Sequence, residues 1–271
     1  MIWPVYFSMR RFAAPSNTPK RPSKGVGIAD FRPCAALVRG CPPRRLCYTG
    51  PMNFPPDLVI FDCDGVLVDS EPITNALIAE EVTARGLPMA AREAGERFVG
   101  GTILDVFRRI REAGIDLPDD WIDTTYSAIF DRLAQHTPII EGIHGVLDAL
   151  EAANIPFSVA SNGPMRKMEI TLGQNGLLDR LMPHIISPHD ADIGMEKAKP
   201  NPGLFLEAAA RRGVAPERAV VIEDSATGAR AAKAAGIVCF GYAADTPEKN
   251  LTDHDARPFF SMTALPGLLG V

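Results

Sequence analysis

The segment Asp62-Cys63-Asp64-Gly65 is where side-chain type and spacing in this 271-residue chain most directly suggest chemistry. Two carboxylates stand two residues apart just past the apolar run Leu58-Val59-Ile60-Phe61, so an extended backbone points both the same way. Gly65 lets the chain turn sharply behind them. Burying both as anions is very costly unless a cation compensates. A divalent metal with hard oxygen ligands answers that need, and Mg²⁺ suits a site that keeps waters and a phosphate. The competing reading is a solvated Asp-Gly turn.

Three further groups belong with this pair. Glu223-Asp224-Ser225 follows the apolar run Ala219-Val220-Val221-Ile222 and supplies more carboxylate of the metal-ligand type, while Gly228 lets the next helix pack close. Lys199, in Lys199-Pro200-Asn201-Pro202, is a compact cation suited to a phosphoryl oxygen. Ser161-Asn162-Gly163, after Phe157-Ser158-Val159-Ala160, offers a hydroxyl and backbone N–H groups at a helix start, an anion site. Singly, each has a plainer reading as a cap, a solvated lysine or a turn. Their common place at strand ends makes them a set.

The elements that must position these groups follow from the alternation of short apolar runs with helix-length segments beyond Met52, the pattern of βαβ units. His184-Ile185-Ile186 is a further strand, reaching Lys199 after one loop, and Val238-Cys239-Phe240 a fifth. The fold class is α/β, with a Rossmann-like parallel sheet whose strand ends converge on one ligand site. About 90 residues separate the first two strands, far more than a crossover helix needs. The spacing predicts helices there over Thr74–Arg85, Ala91–Phe98, Thr102–Ala113 and Asp119–Gln135, broken at Gly86-Leu87-Pro88 and Gly100-Gly101. The expected division is an α/β core over 52–71 and 138–271, with an all-helical cap over 72–137 inserted into it. Further helices are expected over Gly145–Ala153 and from Pro164, Pro202 and Ser225, and Leu265–Val271 is expected to pack on the sheet.

With these residues in view, the chain from about Phe54 onward, some 80% of its length, resembles the haloacid dehalogenase-like hydrolases. The likeness is to the branch with a helical cap after the first motif, which includes β-phosphoglucomutases and sugar-phosphate phosphatases. That resemblance implies Asp62 as the nucleophile that becomes an aspartyl phosphate, and Asp64 as the acid and then the base. It implies Mg²⁺ held by Asp62, Asp224 and the backbone carbonyl of Asp64, with Glu223 in direct or water-mediated contact. Ser161, Asn162 and Lys199 would hold the phosphoryl group, and Gly100, Gly101 and Thr102 match the cap specificity loop. Dehalogenases of the family lack the second aspartate, so Asp64 implies phosphate chemistry. The expected activity is hydrolysis of a small phosphorylated metabolite, a sugar or polyol monophosphate. A mutase using the same aspartyl phosphate, and a non-catalytic regulatory phosphate-binding protein, are the alternatives. Arg97, Arg108 and Arg109 in the cap are candidate anion contacts, set against a solvated helix face.

Composition agrees with a soluble cytoplasmic enzyme. The net charge of −5 divides unevenly: residues 1–51 hold nine Lys or Arg against Asp30 alone, a net +8, which leaves −13 for residues 52–271. An acidic body speaks against nucleic acid as partner, and no apolar run reaches the roughly 18 residues of a membrane helix. The sequence leaves the oligomeric state open and is compatible with a monomer. The leader carries eight of the 24 prolines, and its apolar residues precede Arg10 and Arg11, the wrong order for secretion. It is expected to be disordered and dispensable for catalysis, with translation starting at Met52; a transit peptide is the competing reading. The five cysteines form no CxxC pair, the five histidines no HExxH, and Cys63 is expected to be a small buried filler.

Overall fold

A computed structural model describes residues 55–99 and 102–271, so the expectations for the leader and for Gly100 and Gly101 lie outside the described residues. Six strands form the sheet: β1 (Leu58–Phe61), β2 (Phe157–Ala160), β3 (Ile185–Ile186), β4 (Ala219–Glu223), β5 (Val238–Tyr242) and β6 (Arg257–Phe259). Every pairing is parallel, in the order β3-β2-β1-β4-β5-β6. The apolar runs of the sequence are these strands because both faces of the sheet are covered. Val59, Phe61, Val159 and Ile222 face one core, and Leu58, Ile60, Ala160 and Val221 face the other.

Eleven α-helices are described. The helices α1 (Glu71–Ala84), α2 (Ala91–Phe98), α3 (Ile103–Glu112) and α4 (Trp121–Gln135) form the insert between β1 and β2, followed by α5 (Ile143–Ala152). The remainder are α6 (Met165–Gln174), α7 (Leu178–Leu181), α8 (Gly203–Arg211), α9 (Ala226–Ala235), α10 (Glu248–Thr252) and α11 (Leu265–Leu269). The insert has its own apolar core, in which Leu77, Ile78, Phe98, Ile110, Trp121 and Leu133 are buried. Helix α1 starts three residues earlier than the spacing suggests, because Pro72 is at home in a first turn, where its missing N–H has no partner to lose. Thr102 caps α3 rather than entering it, in a reciprocal capping box with Asp105. Leu265 and Leu269 of α11 are buried against the sheet core, as expected.

The two chain crossings into and out of the insert lie side by side. Asp69 N donates to Pro138 O at 2.8 Å and Ile140 N to Leu67 O at 3.1 Å, so residues 66–70 are tied to the returning segment. Strand β6 is the element that the apolar-run pattern misses. It is three residues long, begins with an exposed Arg257 and contains Pro258, which an edge position tolerates because one side of the strand needs no ladder partner. Among the described residues no helix is long and apolar enough to cross a membrane.

Candidate active site

The strand order reverses direction between β1 and β4, and a crevice opens at the carboxyl ends of strands at such a point. Asp62 follows β1 directly, Glu223 ends β4 and Asp224 follows it, so the register Phe61 to Ile222 sets these acids next to each other. One carboxylate oxygen from each lies within 4.8 Å of those of the other two. Gly65, at φ +76°, makes the tight turn here: a Cβ on it would collide with the Asp224 carboxylate.

Lys199 reaches into this cluster from the loop after β3. Its Nζ donates to Asp62 Oδ1 and to Glu223 Oε1, each at 2.8 Å, and sits 4.8 Å from the centre of the Phe205 ring. Asn162 holds the lysine's backbone, with Oδ1 accepting from Lys199 N at 2.8 Å and Nδ2 donating to Lys199 O at 3.0 Å. The Asn162 side chain is therefore committed to Lys199, and its backbone is what it can offer an anion. Glu223 is similarly engaged. Its Oε2 accepts from Asp224 N at 3.0 Å and from Ser225 N and Ser225 Oγ at 2.9 Å, and Ser225 Oγ accepts from Gly228 N at 3.0 Å. Glu223 thus builds the turn and anchors Lys199, so that of these three acids Asp62 and Asp224 keep oxygens open to a cation.

Charge explains the proton affinities. Burial, then the nearby Glu223 and Asp64, push Asp62 up to about 7 against the pull of Lys199. Burial and the neighbouring Glu223 and Asp62 raise Asp224 well above the carboxylate range. With all three acids ionised, Lys199 leaves the cluster at −2, the deficit that one divalent cation cancels. The oxygen donors, their proximity and this uncompensated charge fit Mg²⁺.

Asp64 has a different environment. Its Oδ1 is 2.7 Å from Lys167 Nζ on α6 and also accepts from Ser70 Oγ. Burial alone would raise Asp64, but the Lys167 cation and the Ser70 hydroxyl outweigh it and hold the carboxyl below its usual range. The sequence offers Lys167 only as a helical lysine beside an apolar residue. A lysine on a helix reads as a solvated face, and its burial here comes from a carboxylate about 100 residues earlier in the chain.

One cavity of about 150 Å³ joins these groups. Asp62, Asp64, Ser161, Asn162, Lys199, Glu223 and Asp224 line its sheet side, with Lys167. The insert supplies the opposite wall from Val99, Thr102, Ile103, Val106, Tyr126 and Ile129. The three cap arginines do not line it. Arg109 donates to the carbonyls of Phe98 and Val99, Arg97 lies over the Phe98 ring, and Arg108 pairs with Asp105 at 3.5 Å.

Comparison with known proteins places this architecture. Residues 56–236 match the family model described as haloacid dehalogenase-like hydrolase. The 6-phosphogluconate phosphatase of Escherichia coli is 30% identical over 213 residues, 78% of this chain and 94% of its own length. A conserved haloacid dehalogenase-like protein of Agrobacterium tumefaciens is 36% identical, with a TM-score of 0.69 over 79% of this chain and 97% of that one. A haloacid dehalogenase-family hydrolase of Deinococcus radiodurans, solved with bound phosphate and sodium, is 31% identical, with a TM-score of 0.67 over 80% and 98% of the two chains. With the matched segment running from the first strand to the end of α9, the chain belongs to the haloacid dehalogenase-like hydrolases and stands among their phosphatases.

Proposed function

We propose that this protein is a Mg²⁺-dependent phosphatase that hydrolyses a small sugar or polyol monophosphate through an aspartyl phosphate on Asp62. The observation that carries the reading is the meeting of Asp62, Asp224 and Lys199 at the sheet's switch point, with Asp64 two residues away on its own cation. Lys199 holds Asp62 Oδ1 and leaves the other oxygen to face phosphorus. Its charge offsets the repulsion between an incoming phosphate and the acidic cluster, and with Ser161 it binds the transferring phosphoryl oxygens. Asp62, Asp224 and the Asp64 backbone carbonyl would hold Mg²⁺. When bound, the ion neutralises charge on the phosphoryl group. Splitting hydrolysis through a covalent intermediate gives two easier steps.

Asp64 serves both steps. It gives a proton to the departing ester oxygen and then takes one from the attacking water, and the Lys167–Ser70 pair favours the carboxylate form that the second step requires. The helical segment 72–137 acts as the cap over a core of 52–71 and 138–271, closing the cavity against water. The substrate is a single small phosphate ester, consistent with the name of the Escherichia coli relative and with the cavity's size. The test is phosphate release from a panel of sugar, polyol and nucleotide monophosphates, with Mg²⁺ and with EDTA. Turnover of a sugar or polyol phosphate that disappears with EDTA and in Asp62→Asn is expected. Turnover that survives both would overturn the mechanism.

A further inference from the structure

The cap-side wall of the cavity is apolar at Val99, Ile103, Val106 and Ile129. Glu71, Thr74, Thr102 and Tyr126 interrupt it, and Thr74 Oγ1 donates to Ser70 O at 3.2 Å. Thr102 is already engaged, its Oγ1 donating to Asp105 Oδ2 at 2.8 Å and accepting from Asp105 N. Tyr126 is not: its hydroxyl makes no hydrogen bond to any of the described residues. Its ring is nevertheless fixed, stacked on Phe130 with centroids 5.6 Å apart and set edge-on to His189 at 6.2 Å. Burial pushes the phenol up to about 12, so it stays a neutral donor through the physiological range. The side chain is partly exposed, so the phenol is open to a partner from outside the chain.

We propose that Tyr126 is a specificity-determining residue whose phenol donates a hydrogen bond to a hydroxyl oxygen of the substrate's leaving group, opposite the phosphate. This rests on the phosphatase reading of the same cavity and names its substrate class more narrowly: monophosphates of short, hydroxylated carbon chains. Size points the same way. The cavity between the sheet and the insert measures about 150 Å³ and opens to solvent. The phosphate and a compact leaving group fill such a space, and the Tyr126 ring is one of the walls the leaving group meets. His189, brought to this ring by the loop after β3, makes the position depend on both the sheet side and the insert.

The experiment compares glycerol 3-phosphate with n-propyl phosphate, which has the same chain length and no hydroxyls, in wild type and Tyr126→Phe with Mg²⁺ present. The wild type is expected to prefer glycerol 3-phosphate in kcat/KM. In Tyr126→Phe that value is expected to fall about tenfold for glycerol 3-phosphate, the size of one hydrogen bond of about 1.4 kcal/mol, and to stay within twofold for propyl phosphate. A wild type that does not distinguish the two esters overturns the proposal without any variant. So does a Tyr126→Phe that lowers both alike or neither. These outcomes leave phosphate release intact. Absence of Mg²⁺-dependent release from every ester tested, p-nitrophenyl phosphate included, overturns the phosphatase reading and this proposal with it.

Discussion

Replacing Gly228 by alanine should destabilise the protein, although the same change in an ordinary helix stabilises it. Gly228 lies in the first turn of α9, and a Cβ on it would fall within the Glu223 carboxylate. That carboxylate cannot swing aside freely. Four donors hold it: Lys199 Nζ at 2.8 Å, Asp224 N at 3.0 Å, and Ser225 N and Oγ at 2.9 Å. Hydrogen bonds to a charged group contribute about 1.5–3 kcal/mol each, so loss of two costs roughly 3–6 kcal/mol. The helix-propensity gain of about 1 kcal/mol offsets part of this, leaving roughly 2–5 kcal/mol. For a domain of this size the melting temperature should drop by roughly 4–20 °C. The control is Gly145→Ala in α5, where nothing beyond its chain neighbours and the helix's own backbone lies within 4 Å of the missing Cβ. That variant should gain about 0.5–1 kcal/mol. Urea unfolding of the two variants beside wild type measures both signs. A Gly228→Ala protein as stable as wild type would show that Glu223 is not held by its network, and the account of Lys199 anchoring would fail with it.

The remaining predictions concern the acidic cluster. Asp62 is raised from 3.8 to about 7 in the folded protein, so its proton stabilises the metal-free fold below about pH 4 and this contribution is lost as the pH rises through 7. Asp224 shifts in the same direction. Because Mg²⁺ displaces these protons, the rise in melting temperature on adding Mg²⁺ should be larger at pH 8 than at pH 5, and an increment independent of pH would contradict the ligand assignment. Lys167→Met removes the cation 2.7 Å from Asp64 and should move the limb of the pH–rate profile governed by Asp64 upward by about one unit or more; an unmoved limb would remove Lys167 from the account. Asp62→Asn should lower kcat at least about 10³-fold while retaining the fold by circular dichroism.

Much of this site could be read from the sequence because of what a parallel sheet demands of its strands. Burial on both faces makes Leu58–Phe61, Phe157–Ala160 and Ala219–Ile222 continuous apolar runs, and whatever polar residue ends such a run stands at the crevice. That these strand ends converge on one site needed only that positional logic, whereas the pairing of β1 with β4, which brings Asp62 to Glu223 and Asp224, is seen in the structure. What stayed hidden is the division of labour among like groups. Glu223 and Asp224 are adjacent acids, and only the donors around them separate one that anchors Lys199 from one left open to a cation. Asn162 reads as a phosphate contact until its side chain is seen on the Lys199 backbone. Lys167 and Tyr126 lie on helices whose periodicity assigns them to faces without saying what faces them, since Asp64 and His189 arrive from distant parts of the chain. One local signal existed for each. Lys167 precedes the buried Met168, which sets it at the edge of the helix's core face, and Tyr126 stands four residues from Phe130, the spacing at which two rings on one helix meet. A polar residue at the margin of an apolar stripe, near a strand end rich in acids, is therefore the position where a sequence reading of this fold should look for a substrate contact.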